Sequence, residues 1–248
     1  MFDHSPLSLN HFKELKKLQQ KKYRQEKGLC LVEGSKTIKQ ISDNGIKLEE
    51  LIINNIDIDL LAKLQYRYLW ETDKSRLDRL AVTKSPQDLI AVVKTEFKAF
   101  SSDDFIIYLD RISDPGNLGA IYRTACAAEI SGIALTSDSC DPFNSKVIRA
   151  SLGTVFSVPT KIVKQQWLLN HKNKIIAAVQ DKGKNIFTAQ VPNKNIILVI
   201  GSEAHGINTE ILNHADEKVN IPISDKIESL NAAVAAGVMI YQLKYIKK

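Results

Sequence analysis

IILVIGSEAHGIN (196–208), followed by KVNIPISDKIESLNAAVAAGVMIYQL (218–243), is the stretch from which the fold is read. Ile196–Ile200 is an unbroken apolar run that stops at Gly201. Such a run fits a strand buried on both faces, as in a parallel sheet covered by helices. GSEAHGIN is then a polar loop at a strand end. A second strand over 218–223 leaves through Ile221-Pro222 and leads to an alanine-rich helix from about Glu228 to Ile246. Two polar loops at neighbouring strand ends are what an open α/β sheet uses to hold a small molecule.

Upstream, the same alternation continues. FIIYLD (105–110) reads as a buried strand, RISDPGNLG as its loop, and a helix follows from Asn117 or Leu118 to about Glu129. GIALTS (132–137) is a strand, SKVIRASLG (145–153) a short helix, VFSVPTKIV strand-like and QQWLLNHK helical. KIIAAVQ (174–180) is a further strand, and a short helix is expected around 209–213. The segment FKAFSSDD (97–104) is polar and serine-rich, and marks a boundary. Before it, Phe12, Leu15, Leu18 and Tyr23 predict one helix over 9–26. LCLVEG, LEELIIN, YRYLWETD and LIAVVKT read as strands, with helices over SKTIKQISDNG, IDIDLLAKLQ (56–65) and KSRLDRLAV. The expectation is two α/β domains: a smaller recognition domain at 1–97, then 98–248 with a mostly parallel sheet.

The 248 residues suit one large or two modest domains, each with its own core. No apolar run reaches the roughly 18 residues of a membrane span. The N-terminus lacks the apolar core of a secretory signal. Cys30, Cys126 and Cys140 are scattered and form no CxxC pair, which predicts neither a zinc site nor a disulfide framework; a reduced cytoplasmic location fits. The net charge is +6, and nine Lys/Arg against three acids fall between His11 and Lys39. Lys16, Lys17, Lys21, Lys22 and Arg24 are therefore candidates for contacts to nucleic-acid phosphates, although a solvated helix face accounts for the same pattern.

Three loops carry candidate chemistry. In DPGNLGAIYRTA (114–125), Asn117 and Gly119 stand at a helix start and Arg123 follows six residues after Asn117. The glycine spacing is not GxGxxG, and the following strand does not end in the acidic residue that a dinucleotide site requires. An arginine near a helix N-terminus suits an anion; alternatively it pairs with Asp110 or Asp114. GSEAHGIN lacks the Lys-Ser/Thr of a phosphate loop, and Glu203 within it repels phosphate and suits a cationic or hydroxylated ligand. A turn or capping role for Ser202 and Glu203 is the simpler alternative. In IPISDKIESLNAAVAAG (221–237), Ser229 and Asn231 flank Leu230 at a helix start, where either residue serves as a cap. The small residues behind them allow close packing within the chain or between two copies. His205 is the one histidine near these loops, and a lone loop histidine is usually idle. No metal-binding pattern occurs.

Taken together, NLGAIYRTA, IILVIGSEAHG and IPISDKIESLNAAVAAG resemble the three motifs of the SpoU (TrmH-type) RNA ribose 2′-O-methyltransferases of the SPOUT superfamily. NSKVIRASLGTVFSVP (144–159) resembles the segment that joins the first two. The resemblance spans about 104–246; residues 1–97 resemble, more weakly, the substrate-binding domain that many members carry. It implies a deep trefoil knot, a homodimer with the site near the subunit interface, and S-adenosylmethionine as methyl donor without a metal. Backbone around Gly201, Ser202, Ile221, Pro222 and Leu230 would hold the cofactor. Arg123 would be the central catalytic residue, oriented by Asn117, Glu203 and Asn231, with Ser229 on an RNA phosphate. Arg149 is a further candidate for RNA or cofactor contact. The substrate would be ribosomal or transfer RNA. A non-catalytic RNA-binding protein on the same scaffold is the alternative, and a dinucleotide enzyme a more distant one.

Overall fold

The computed structural model describes residues 5–55, 58–83, 86–100 and 102–245. The expected helix start at Ile56-Asp57 and helix end at Ile246 lie outside them. The described residues fall into two compact units, one from Met1–Glu96 and Asp141–Ser157, the other from Phe97–Cys140 and Val158–Lys248.

The first unit begins with β1 (Ser5–Pro6), α1 (Leu9–Lys17), α2 (Lys21–Lys27), β2 (Leu29–Glu33) and α3 (Ser35–Asp43). It continues with β3 (Leu48–Ile53), α4 (Ile58–Leu61), β4 (Tyr66–Glu71), α5 (Lys74–Leu80) and β5 (Leu89–Lys94). The strands form a mixed sheet in the order β1-β4-β3-β5-β2. One face packs Leu31, Ile52, Ile90 and Val92 against Phe12, Leu15, Leu77 and Leu80.

The helix expected over 9–26 is two helices. Arg24 causes the break: its Nη1 donates to the carbonyls of Leu18 (3.1 Å) and Gln19 (2.9 Å), so the chain folds around the guanidinium. Gln19 in turn donates to the Leu80 carbonyl at 2.9 Å. Arg24 is only 7% exposed and its Nη2 pairs with Asp141 at 2.5 Å. It is therefore a structural ion pair rather than a phosphate contact.

The second unit is built on β6 (Phe105–Asp110), α6 (Pro115–Ala127) and β7 (Gly132–Thr136). The chain then runs through α7 (Ser145–Ala150), which belongs to the first unit together with the rest of 141–157. A sequence boundary at 97/98 assigns that segment to the second instead. It returns as β8 (Thr160–Val163), α8 (Gln165–Leu169), β9 (Lys174–Ala178) and β10 (Lys184–Asn185). The last elements are β11 (Ile196–Gly201), α9 (Thr209–His214), β12 (Glu217–Asn220) and α10 (Ala232–Tyr245).

All six pairings of this seven-stranded sheet, in the order β10-β12-β9-β11-β6-β7-β8, are parallel. Every residue of β6 and β7 is buried, as their apolar runs require. One face packs Ile106, Tyr108, Ile197 and Val199 with Leu168 and Ile211; α10 packs against α6 and β11. The strand order reverses beside β6 and β11, and Gly201 stands opposite Asp110 in their register. The loops that leave these two strands therefore emerge side by side, in the crevice where parallel sheets bind ligands. Among the described residues no helix is long and apolar enough to cross a membrane.

The final helix starts later than the sequence implies. Residues 221–231 are loop, and Asn231 caps α10 by accepting from the amides of Ala233 (3.0 Å) and Val234 (3.2 Å).

Candidate active site

Each of the three sequence loops is held by short-range chemistry. Asp114 caps α6, accepting from the Asn117 amide at 2.7 Å, and Pro115 occupies the first turn, where a missing N–H costs nothing. Gly201 ends β11 because nothing larger fits. A Cβ there would lie 2.3 Å from the Gly206 carbonyl carbon. The turn closes on itself: the Gly206 amide donates to the Ser202 carbonyl (2.9 Å) and the His205 amide to the Ser202 hydroxyl (3.2 Å). Gly206 takes φ +59°, a conformation that side-chain-bearing residues avoid.

These loops meet in one hydrogen-bonded chain. Asn231 Nδ2 donates to Asn117 Oδ1 at 2.8 Å, and Asn117 Nδ2 donates to the Glu203 carboxylate. Residues from all three motifs, 86 and 114 positions apart, are thus joined through one side-chain amide. Asn231 caps its helix and orients Asn117 at once, so the simple capping alternative describes half of what it does.

Beside this chain lies a cavity of about 490 Å³. Of the expected cofactor residues, Gly201, Ser202, Ile221 and Leu230 line it, as do Glu203, Ser229 and His205; Pro222 is not among its lining. Ala178, Val179, Gln180 and Asp181 line it too, and the sequence reading missed them. The signal was available: Ala178 ends β9, the parallel neighbour of β11, and the other three follow it, so they also stand at a strand end. The acidic side chains of the lining are Asp181 and Glu203, and it contains neither lysine nor arginine. That composition disfavours a polyphosphate and suits a ligand bearing positive charge. Ile200, Leu212, Ile223 and Met239 supply apolar wall for a flat ring. The backbone-rich turn, the apolar wall and the two carboxylates fit S-adenosylmethionine, which combines an adenine with cationic sulfonium and ammonium groups.

Arg123 is not part of that lining. It is exposed on α6, and among the described residues it makes no hydrogen bond or ion pair. Its two candidate partners are engaged elsewhere: Asp110 with Arg111 at 3.1 Å, and Asp114 as the cap of α6. Arg149 is exposed on α7, within the first unit. On α1 and α2, Lys16, Lys21 and Lys22 are exposed, while Lys17 is half-buried and pairs with Glu14 at 2.6 Å. No group of three or more metal-ligating side chains occurs among the described residues.

The chain is similar to known proteins along most of its length. Residues 104–241 match the SpoU rRNA Methylase family, and residues 10–91 match the MRM3-like substrate binding domain. The chain is 27% identical, over 94% of its length and 95% of the relative's, to the 23S rRNA (guanosine(2553)-2′-O)-methyltransferase RlmP of Bacillus subtilis. It is 30% identical to an uncharacterized tRNA/rRNA methyltransferase of Borreliella burgdorferi, over 76% of this chain and 92% of that one. Among solved structures, the AdoMet-bound rRNA methyltransferase from Sinorhizobium meliloti superposes with a TM-score of 0.83 at 26% identity, covering 98% of this chain and 97% of that one. With its parallel sheet, its three-loop site and a family match over more than half its length, this chain belongs to the SpoU rRNA methylase family.

Proposed function

We propose that this protein transfers a methyl group from S-adenosylmethionine to a ribose 2′-hydroxyl of RNA, with ribosomal RNA as the substrate class. The observation that carries the reading is the Asn231–Asn117–Glu203 chain at the edge of a cavity whose lining is acidic and apolar rather than cationic. Bound cofactor supplies a methyl on a positively charged sulfur, which departs as a neutral thioether. The protein's task is then positioning and proton removal.

Glu203, fixed by Asn117, places a carboxylate beside the cofactor cavity. The turn from Gly201 to Gly206, with Ile221 and Leu230, offers backbone groups to the cofactor, and Ser229 stands at the same rim to meet RNA. Arg123, with its fork unspent on intrachain partners, grips an RNA phosphate and orients the ribose. A guanidinium scarcely releases a proton, so a clamp describes this residue better than a base. On the first unit, Lys16, Lys21 and Lys22 supply the cationic surface that tracks the RNA backbone.

The same reading includes a cytoplasmic location, a trefoil-knotted cofactor region and a homodimer. Val234, Tyr241 and Tyr245 stand exposed at helical spacing on α10, which supports a dimer contact there. Sedimentation as a 27.8 kDa monomer at micromolar concentration would remove the dimer. Export of a tagged chain from the cell would remove the cytoplasmic assignment. An experimental backbone trace without a threaded C-terminus would remove the knot.

Calorimetry with S-adenosylhomocysteine and, separately, NAD tests the cofactor. Saturable binding of the first alone is expected. Binding of NAD alone would overturn the assignment.

A further inference from the structure

Arg111 sits at φ +57° although it is not glycine. A residue with a Cβ pays roughly 1–2 kcal/mol for that conformation, so its surroundings must hold it there. Its amide donates to the Thr136 hydroxyl at 2.9 Å. Its side chain bends back onto the preceding residue, with Nε 3.2 Å from Asp110 Oδ1 and Nη2 3.1 Å from Asp110 Oδ2. Asp110 is 4% exposed and is the last residue of β6.

This pair also reaches the turn that follows β11. Arg111 Nη2 donates to the Gly206 carbonyl at 3.4 Å, and Asp110 Oδ2 accepts from the Asn208 amide at 2.8 Å. These two bonds hold the far end of the loop that starts at Gly201. The near end is held by the register of β11 with β6, where Gly201 faces Asp110. Glu203 lies between the two anchors, and its partner Asn117 lies on the chain that leaves Asp110 and Arg111 in the other direction. One buried carboxylate and one strained arginine thus connect two of the three loops of the site at a single point.

We propose that Asp110 and Arg111 are positioning residues: they clamp the 201–208 loop so that it is preorganised for the cofactor and holds Glu203 against Asn117. The clamp deepens the methyltransferase reading and rests on it for the identity of the ligand. The backbone strain at Arg111 belongs to such a device, since strained residues persist where the surrounding structure over-determines them. The guanidinium spans the carboxylate and a carbonyl at once, and a lysine has no fork with which to do so.

The test separates the clamp from general stability. Arg111→Gly suits the left-handed backbone and removes the guanidinium; Asp110→Asn keeps an acceptor for the Asn208 amide and removes the charge. Hydrogen exchange is followed on a peptide spanning 201–208, with β7 and β8 as internal controls for global unfolding. In both variants the loop amides should exchange about tenfold faster or more while the control strands stay protected. S-adenosylhomocysteine affinity should fall about tenfold in Arg111→Gly, with Arg111→Lys recovering part of it. Unchanged loop exchange in both variants overturns the clamp. Accelerated exchange with wild-type affinity overturns its positioning role. Wild-type protein that binds no S-adenosylhomocysteine would instead overturn the methyltransferase reading, and the exchange measurement would still decide the clamp.

Discussion

Gly201→Ala places one methyl group at the junction of β11 and its loop. The added Cβ would lie 2.3 Å from Gly206 C, 2.5 Å from Gly206 O and 2.5 Å from Ile207 N. Ordinary contact begins at 3.4 Å, so the worst pair must separate by 3.4 − 2.3, about 1 Å. All three obstructing atoms are backbone, and no rotamer change relieves them. Overpacking of this kind costs about 1–3 kcal/mol. For a chain of this size that lowers Tm by about 2–12 °C, and the protein should remain folded. The loop, however, lines the cavity and carries Glu203. A displacement of about 1 Å in a reacting geometry costs up to about a hundredfold in rate. Calorimetry should find S-adenosylhomocysteine affinity reduced about tenfold or more. Gly206→Ala is the control: its Cβ meets nothing within 4 Å, and only the φ of +59° penalises it. It should lose about 1–2 kcal/mol of stability and less affinity than Gly201→Ala. A folded Gly201→Ala protein with wild-type affinity would refute the steric reasoning and the cofactor assignment together.

Substitutions at three further positions probe other parts of the molecule. Arg123→Ala should lower kcat/KM for RNA about a hundredfold with little change in Tm, because the residue is exposed; near-normal turnover in Arg123→Lys would exclude any role for the planar fork. Arg24→Met removes the guanidinium from its buried pair with Asp141 and should destabilise by about 3–5 kcal/mol in urea titrations; a loss under about 1 kcal/mol would show that the pair contributes no more than a surface ion pair. The Tyr108 hydroxyl is buried and has no protein hydrogen-bond partner among the described residues. Tyr108→Phe should therefore change stability by no more than about 1 kcal/mol, and a loss above about 2 would point to a missed partner.

What was legible followed from local signals. β6 and β11 are continuous apolar runs, and both were bounded correctly because an apolar strand ending in Asp or Gly has few other readings. The loops were legible as loops for the same reason. What was not legible depends on distant partners. Phe12 to Tyr23 keep helical spacing through a break that Arg24 imposes, and the charge beside Arg24 comes from Asp141, 117 residues away. The assignment of 141–157 to the first unit likewise depends on packing that no spacing rule encodes. At the site, motif resemblance singled out Asn117, Glu203 and Asn231, yet neither propensity nor periodicity contains the hydrogen bonds that join them. From the sequence Asp110 reads as a strand end or a partner for Arg123, and Arg111 as a loop start. Their function emerges only when β11 is seen to lie beside β6.

The central claim is that this chain methylates ribose in RNA. Its most direct test is site-by-site mapping of 2′-O-methylation in total RNA from cells with the gene, without it, and with an Asn117→Ala copy restored. At least one ribosomal position should be methylated with the intact gene, unmethylated without it, and not restored by the Asn117→Ala protein. An unchanged methylation map on deletion would contradict the claim, and full restoration by Asn117→Ala would contradict the part given to Asn117.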